Sequence, residues 1–128
     1  MRENTVIDHF LDGIVSADIP VAVFADDVVL DATVPNWRYK VRGASAVQAE
    51  LAKWYADRGR FEQVGRTNIP GGEFVEFTLS WTEEGVEHKC HQAHVLQLQN
   101  ERVVKDTVWC GGRWPAALVA EMEAAAAG

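Results

Sequence analysis

The stretch from Val75 to Gln99, VEFTLSWTEEGVEHKCHQAHVLQLQ, most constrains how this chain can fold. Apolar and polar residues alternate on both sides of a Glu84-Gly85 dipeptide. Alternation with period two marks a strand with one buried face, and a Gly-containing dipeptide between two such runs marks a hairpin turn. With two residues in that turn, Trp81 opposes His88, Leu79 opposes Cys90, Phe77 opposes Gln92 and Val75 opposes His94. The other side carries Thr82, Ser80 and Thr78 against Glu87, Lys89 and His91. Both strands divide the same way independently, which sets the register. The inner side therefore bears His88, Cys90, Gln92 and His94 where a closed core would bear valine and isoleucine. A cavity accounts for such a stripe.

The next hairpin has two readings. A three-residue loop at Asn100-Glu101-Arg102 turns Val104, Asp106, Val108 and Cys110 inward, beside Leu98, Leu96, His94 and Gln92. A two-residue loop turns Lys105, Thr107 and Trp109 inward instead. The first buries one charge with two valines; the second buries one charge with a threonine and a tryptophan. The first is preferred, and a slip of one residue would expose Asp106.

Upstream, Val6, Ile7, Phe10, Leu11, Ile14 and Val15 repeat at helical spacing over residues 4–17, with Asn4 as a cap. Asp18 and Pro20 start a short second helix that ends near Phe24. Val28 to Val34 reads as a strand, interrupted by Pro35-Asn36 and resumed over Trp37 to Val41. Residues 44–58 form a helix with Val47, Leu51 and either Trp54 or Tyr55 buried, stopped by Gly59. From Arg60 to Trp109 the chain reads as antiparallel strands with turns at Pro70-Gly71-Gly72, Glu84-Gly85 and Asn100-Glu101. A last helix spans about 116–125. Helices, strand, helix and then a meander give an α+β fold, a curved antiparallel sheet wrapped around helices.

The chain has 128 residues, enough for one domain over 1–128 with a real core. A formal charge of −7 disfavours nucleic acid and anionic membranes as partners. No apolar run approaches the ~20 residues that span a bilayer. The opening MRENTVIDHFLDGIV lacks the apolar core and cleavage site of a signal peptide, so a cytoplasmic location with reduced Cys90 and Cys110 is expected. Five tryptophans favour a lined cavity or a subunit contact.

His94 and Asp106 are the candidate acid–base pair. In the preferred register they lie diagonally on neighbouring strands. An aspartate beside an imidazole fixes which ring nitrogen carries the proton, which serves proton abstraction next to a carbonyl. The competing reading of His94 is a core histidine satisfied by its surroundings. A metal site at His88, His91 and His94 is disfavoured: His88 and His94 lie ~20 Å apart on an extended strand and His91 points the other way. Cys90 reads as a small buried hydrophobe, since no cation is expected to face it. Cys90 and Cys110 sit on neighbouring strands without directly opposing each other. Asp31, between Leu30 and Ala32, is expected at a solvated outer edge. Trp37 is either a platform at the cavity mouth or a dimer contact, and Trp109 is a candidate for an oligomer interface.

The segment FADDVVLDATVPNWRYKVRGASAVQAEL, residues 24–51, resembles the nuclear-transport-factor-2-like superfamily, in which a helix ending in such an A-D-D leads into the first strand and an R-G turn opens the next helix. HVLQLQNERVVKDTVWC, residues 94–110, resembles that group's closing hairpin. Within the group the chain is most similar to SnoaL-like polyketide cyclases and ketosteroid isomerases. The resemblance implies a cone closed by three N-terminal and central helices, the cystatin-like α+β roll. It also implies a deep apolar pocket, a homodimer, and no metal or cofactor. The steroid isomerase machinery does not carry over: its catalytic Asp falls on Ala32, its Tyr near Phe10 and its neutral Asp on His94. In the cyclases a late-strand Asp and a His form the acid–base pair, for which His94 and Asp106 are the nearest equivalents.

These readings converge on a cofactor-independent cyclase, isomerase or dehydratase for a small hydrophobic carbonyl compound. His94 would be the acid–base and Asp106 its orienter. His88 and Gln92 would hydrogen-bond substrate, and Trp37, Trp54, Phe77 and Trp81 would wall the pocket. A dehydratase using both His88 and His94 is a variant. The competing function is a non-catalytic binding or dimerisation module of the same fold.

Overall fold

A computed structural model describes residues 4–127. The chain begins with helix α1, Thr5–Ser16, which buries Ile7, Phe10, Leu11 and Ile14. Asn4 occupies the cap position, but its side chain reaches Glu73 Oε1 at 3.0 Å instead of the helix backbone. Gly13 is required inside this helix: a Cβ there would lie 2.6 Å from the Ile19 backbone as the chain doubles back. The expected second helix is only a 3-10 turn, Val21–Val23, because Pro20 is extended and Phe24 already enters the sheet.

Strand β1 runs Phe24–Val34 and pairs with β2, Trp37–Arg42, across a tight turn at Pro35-Asn36. Helix α2, Ala44–Trp54, buries Val47 and Leu51. It stops four residues short of the expected end because Tyr55 leaves the helical path and turns its ring into the core, where it is 3% exposed. Gly59 then opens a strand where it was expected to end a helix. Strands β3, Gly59–Ile69, β4, Gly72–Glu83, β5, Val86–Gln99, and β6, Arg102–Cys110, form a meander. A two-residue strand β7, Trp114–Pro115, pairs with β5 and leads into helix α3, Ala116–Ala127.

The seven-stranded sheet has the path β2-β1-β6-β5-β4-β3, with β7 on β5. The sheet is mixed and not purely antiparallel as expected: β6 returns beside β1 and runs parallel to it, Asp106 opposite Leu30 and Val108 opposite Ala32. All other pairings are antiparallel. One core joins α1, α2 and the inner face of the sheet, from Phe10 and Ile14 through Leu51 to Val75, Leu96 and Val108. Helix α3 contributes little to it; Val119 is its one buried residue. This is the expected α+β architecture, with the second of the expected helices reduced to one turn and a last helix, α3, at the C-terminal end of the described residues. Among the described residues no helix is long and apolar enough to cross a membrane.

The β4–β5 register matches the alternation: Trp81 opposes His88, Leu79 Cys90, Phe77 Gln92 and Val75 His94. The β5–β6 hairpin combines both readings. Its loop has two residues, with Gln99 opposite Arg102 and Leu98 opposite Val103. A bulge then shifts the register, so that Leu96 faces Asp106, His94 faces Val108 and Gln92 faces Cys110. Val103, not Val104, is the buried valine of the loop end. The extra residue at the bulge restores the inward parity of Asp106 that a two-residue loop alone would have lost.

Candidate functional site

The site is built where β5 and β6 lie side by side under α2. His94 and Asp106 are both fully buried, and His94 Nδ1 lies 2.8 Å from Asp106 Oδ1. They are not register partners; the diagonal brings them together, two residues apart along the ladder. The ring of His94 packs against two aromatic rings. Phe77 stacks on it with centroids 5.5 Å apart, and Phe10 meets it edge-on at 5.5 Å. Its other nitrogen, Nε2, is 3.0 Å from Gln92 Oε1 and 3.4 Å from the Tyr55 hydroxyl. That hydroxyl donates to the same Gln92 oxygen at 2.5 Å. Burial, and then the negative charge of Asp106, push the Tyr55 phenol well above its ordinary range, so it stays a neutral donor.

Asp106 has an unusual feature. Among the described residues its Oδ2 is buried with no protein partner. A carboxylate oxygen held out of water without a donor is costly, and such groups concentrate where chemistry needs them.

Beside this pair lies a cavity of about 460 Å³. Gln92 lies at the boundary: it lines the cavity and also bonds to His94. Trp54, Tyr39 and Pro35 form an apolar side, and Cys90, Cys110 and Arg113 complete the wall near the end of β6. The Tyr39 hydroxyl donates to Glu50 Oε2 at 2.6 Å and accepts from Trp54 Nε1 at 3.0 Å. Burial first, then the neighbouring Glu50, raises its phenol to about 12. Arg113 pairs with Glu83 at 2.7 Å and lies 4.9 Å from the centre of the Trp81 ring. A larger depression, about 600 Å³, opens between the start of α1 and the β5–β6 turn, and of the expected residues it contains none.

The expected site residues thus divide. His94, Asp106 and Gln92 form one connected group, and Trp54 lines the cavity beside it. Phe77 is a support behind His94 and does not line the cavity. His88 is not gathered in: its Nδ1 lies 2.9 Å from the Val86 carbonyl and its ring stacks on Trp81 at 5.7 Å. Trp81, only 4% exposed, reaches the cavity only through Arg113. Trp37 lies 67% exposed on β2, outside the lining. His91 points to the outer face, 2.8 Å from the Thr78 hydroxyl. Among the described residues no three His, Cys, Asp or Glu side chains gather as a metal site would require.

Tyr39, Tyr55, Cys110 and Arg113 are among the lining or linking residues outside the expected set. Parity had placed Cys110 inward, and the helical stripe had offered Tyr55 as core. Nothing local in the sequence signals Arg113, which arrives through the loop after β6. Cys90 also has a cation in its cavity, Arg113, contrary to expectation.

No protein-family model matches the chain, and no curated protein matches its sequence. Solved structures do match. A nuclear-transport-factor-2-like protein from Anabaena variabilis superposes with a TM-score of 0.73 at 10% identity, covering 84% of this chain and 85% of the other. A Catenulispora acidiphila protein described as having a ketosteroid isomerase-like fold, in complex with trimethylamine, gives 0.67 at 11% identity, covering 83% and 85%. An LEH-like epoxide hydrolase from M. tuberculosis gives 0.63 at 14% identity, covering 83% and 80%. The chain has the nuclear-transport-factor-2-like fold.

Proposed function

We propose that this protein is a cofactor-independent acid–base enzyme acting on a small, largely apolar carbonyl compound held in the cavity. The reaction class is proton transfer, as in a cyclisation, isomerisation or dehydration. One observation carries the reading: a fully buried His94–Asp106 pair, with one carboxylate oxygen unpartnered, lies behind Gln92 in the wall of a cavity with an apolar side of Pro35, Tyr39 and Trp54. Two structural neighbours described as an epoxide hydrolase and as isomerase-like in fold support enzymatic chemistry in such a cone.

In this mechanism Gln92 is the gate. Its side chain covers Nε2 of His94 at rest, and a rotamer change would uncover that nitrogen to the cavity. Nε2 would then take a proton from the carbon next to the substrate carbonyl. Asp106 would stabilise the imidazolium formed, its Oδ1 already on Nδ1. The Tyr55 hydroxyl, released from Gln92, would donate to the developing enolate oxygen. Trp54 and Tyr39 would hold the apolar body of the substrate.

A second reading has its own observation. His94 is fully buried, with Gln92 between it and the cavity, as suits a binding module whose polar core is structural. Deuterium uptake separates the two. The protein is incubated in D2O with a panel of small cyclic and aryl ketones, and α-carbon exchange is followed by mass spectrometry. Exchange with at least one ketone, reduced about 10²–10⁴-fold in His94→Gln, is expected for the enzyme. Exchange equal in both proteins, or ketones that bind without exchange in either, would favour the binding module.

A further inference from the structure

The cavity has two sulfur atoms in its wall that the acid–base chemistry does not use. Cys90 on β5 and Cys110 at the end of β6 are both free thiols lining it. They are diagonal neighbours, because Gln92, two residues beyond Cys90, is the register partner of Cys110. Cys90 is 2% exposed, whereas Cys110 is half-buried.

Cys110 Sγ has the Gln92 amide nitrogen 3.4 Å away, and the guanidinium-bearing Arg113 lines the same wall. Sulfur is a weak acceptor as a thiol and a good one as a thiolate, so a donor on the sulfur and a cation in the wall favour its anionic form. The opposite end of the same Gln92 amide points its oxygen at His94 Nε2, 3.0 Å away. Asp106, the His94 ring, the Gln92 amide and the Cys110 sulfur thus form one chain of contacts, with the amide nitrogen turned toward the sulfur.

We propose that Cys110 is a nucleophilic thiolate that captures a soft electrophile of the α,β-unsaturated carbonyl class entering this cavity. The Cys110 sulfur forms a bond to the β-carbon, the carbon–carbon π bond breaks, and its electron pair moves onto the carbonyl oxygen as an enolate. The α-carbon then takes a proton from the Cys90 S–H, which is replaced there from water. The net change is addition of one thiol across one double bond, with no oxidant or reductant. Cys90 is the positioning residue: its contact with Cys110, then Gly112 and Gln92, hold the Cys110 thiol below its ordinary value although burial opposes this. The same contact and burial push the Cys90 thiol up. The other titratable groups facing the pair are His94 on β5, Tyr39 on β2, Tyr55 after α2, and Lys53 and Arg113 on the cavity wall.

The test uses the full chain and methyl vinyl ketone at pH 6, with intact mass and peptide mapping. A thiol with a depressed pKa gains thiolate fraction but loses some nucleophilicity, which leaves a net advantage of about tenfold over glutathione at this pH. One adduct, on Cys110, forming about tenfold faster than with glutathione, is the expected result. Cys90→Ala should shift the pH midpoint of the reaction upward by a unit or more and remove the advantage at pH 6, with recovery at pH 9. Gln92→Glu should act in the same direction. Mapping of the adduct to Cys90, a rate at pH 6 no greater than that of glutathione, or a pH midpoint unmoved in Cys90→Ala would each overturn the proposal. The wild-type rate and map stand even where a variant folds poorly, and neither depends on His94 exchange activity.

Discussion

His94 and Asp106 depend on each other for stability as well as for chemistry. Both side chains are fully buried, so removing the imidazole strands a carboxylate away from water. Breaking a buried pair from one side costs about 3–5 kcal/mol, whereas replacing both members by apolar residues of similar size is often neutral or stabilising. His94→Leu should therefore lower the unfolding free energy by about that much, and His94→Leu with Asp106→Leu should recover most of it in urea unfolding. Additive losses in the double variant would show that the pair is not coupled. Inward parity of both residues was readable from alternation, because a side chain on a strand has only two directions to choose from. The link from Tyr55 to Gln92 was not, since those residues lie 37 positions apart and meet only after the helix has docked. Neither was the stacking of His88 on Trp81, since alternation gives a face and not the contacts made on it.

At the scale of elements, three ion pairs tie helix and strands together. Arg66 on β3 bonds to Glu73 on β4 and to Asp8 on α1 at 2.5 Å, which ties the first helix to the sheet edge. On the outer side of β1, Asp31 was expected in solvent but is 3% exposed, because Arg38 of β2 folds over it with contacts of 3.0 and 2.7 Å. The Arg38 hydrogen bond, against the effect of burial, holds the Asp31 carboxyl below its usual range. The folded chain therefore binds that proton less readily than the unfolded chain. The stability it contributes is full above the unfolded value, about 4, and is lost as pH falls through the lower folded value. Asp31→Asn should lose stability at pH 7 and show a flatter decline below pH 4 when urea midpoints are compared. Parallel curves for the two proteins would rule out this contribution. The Asp31–Arg38 pair spans a hairpin whose turn was legible, but alternation assigns only a face, not what covers it. The β5–β6 bulge was equally hidden, since one extra residue inside a strand leaves no turn signal.

For the whole molecule, the order of strands and helices in the sequence was enough to indicate an α+β roll, and the solved structures of the same fold agree. The parallel β1–β6 pairing was out of reach, because local alternation cannot say which non-neighbouring strands meet. That pairing completes the site: it sets Asp106 against Leu30 and closes the sheet behind His94. A molecule in the cavity should accordingly be in proton contact with His94 through Gln92. Histidine ring nitrogens read this directly by NMR, with phenol titrated into the protein as a mimic of an enolate. Saturable shifts of the His94 ring and the Gln92 side-chain amide are expected, with His9, His88 and His91 unmoved. Shifts confined to those three histidines, or binding that leaves the His94 ring unchanged, would contradict it.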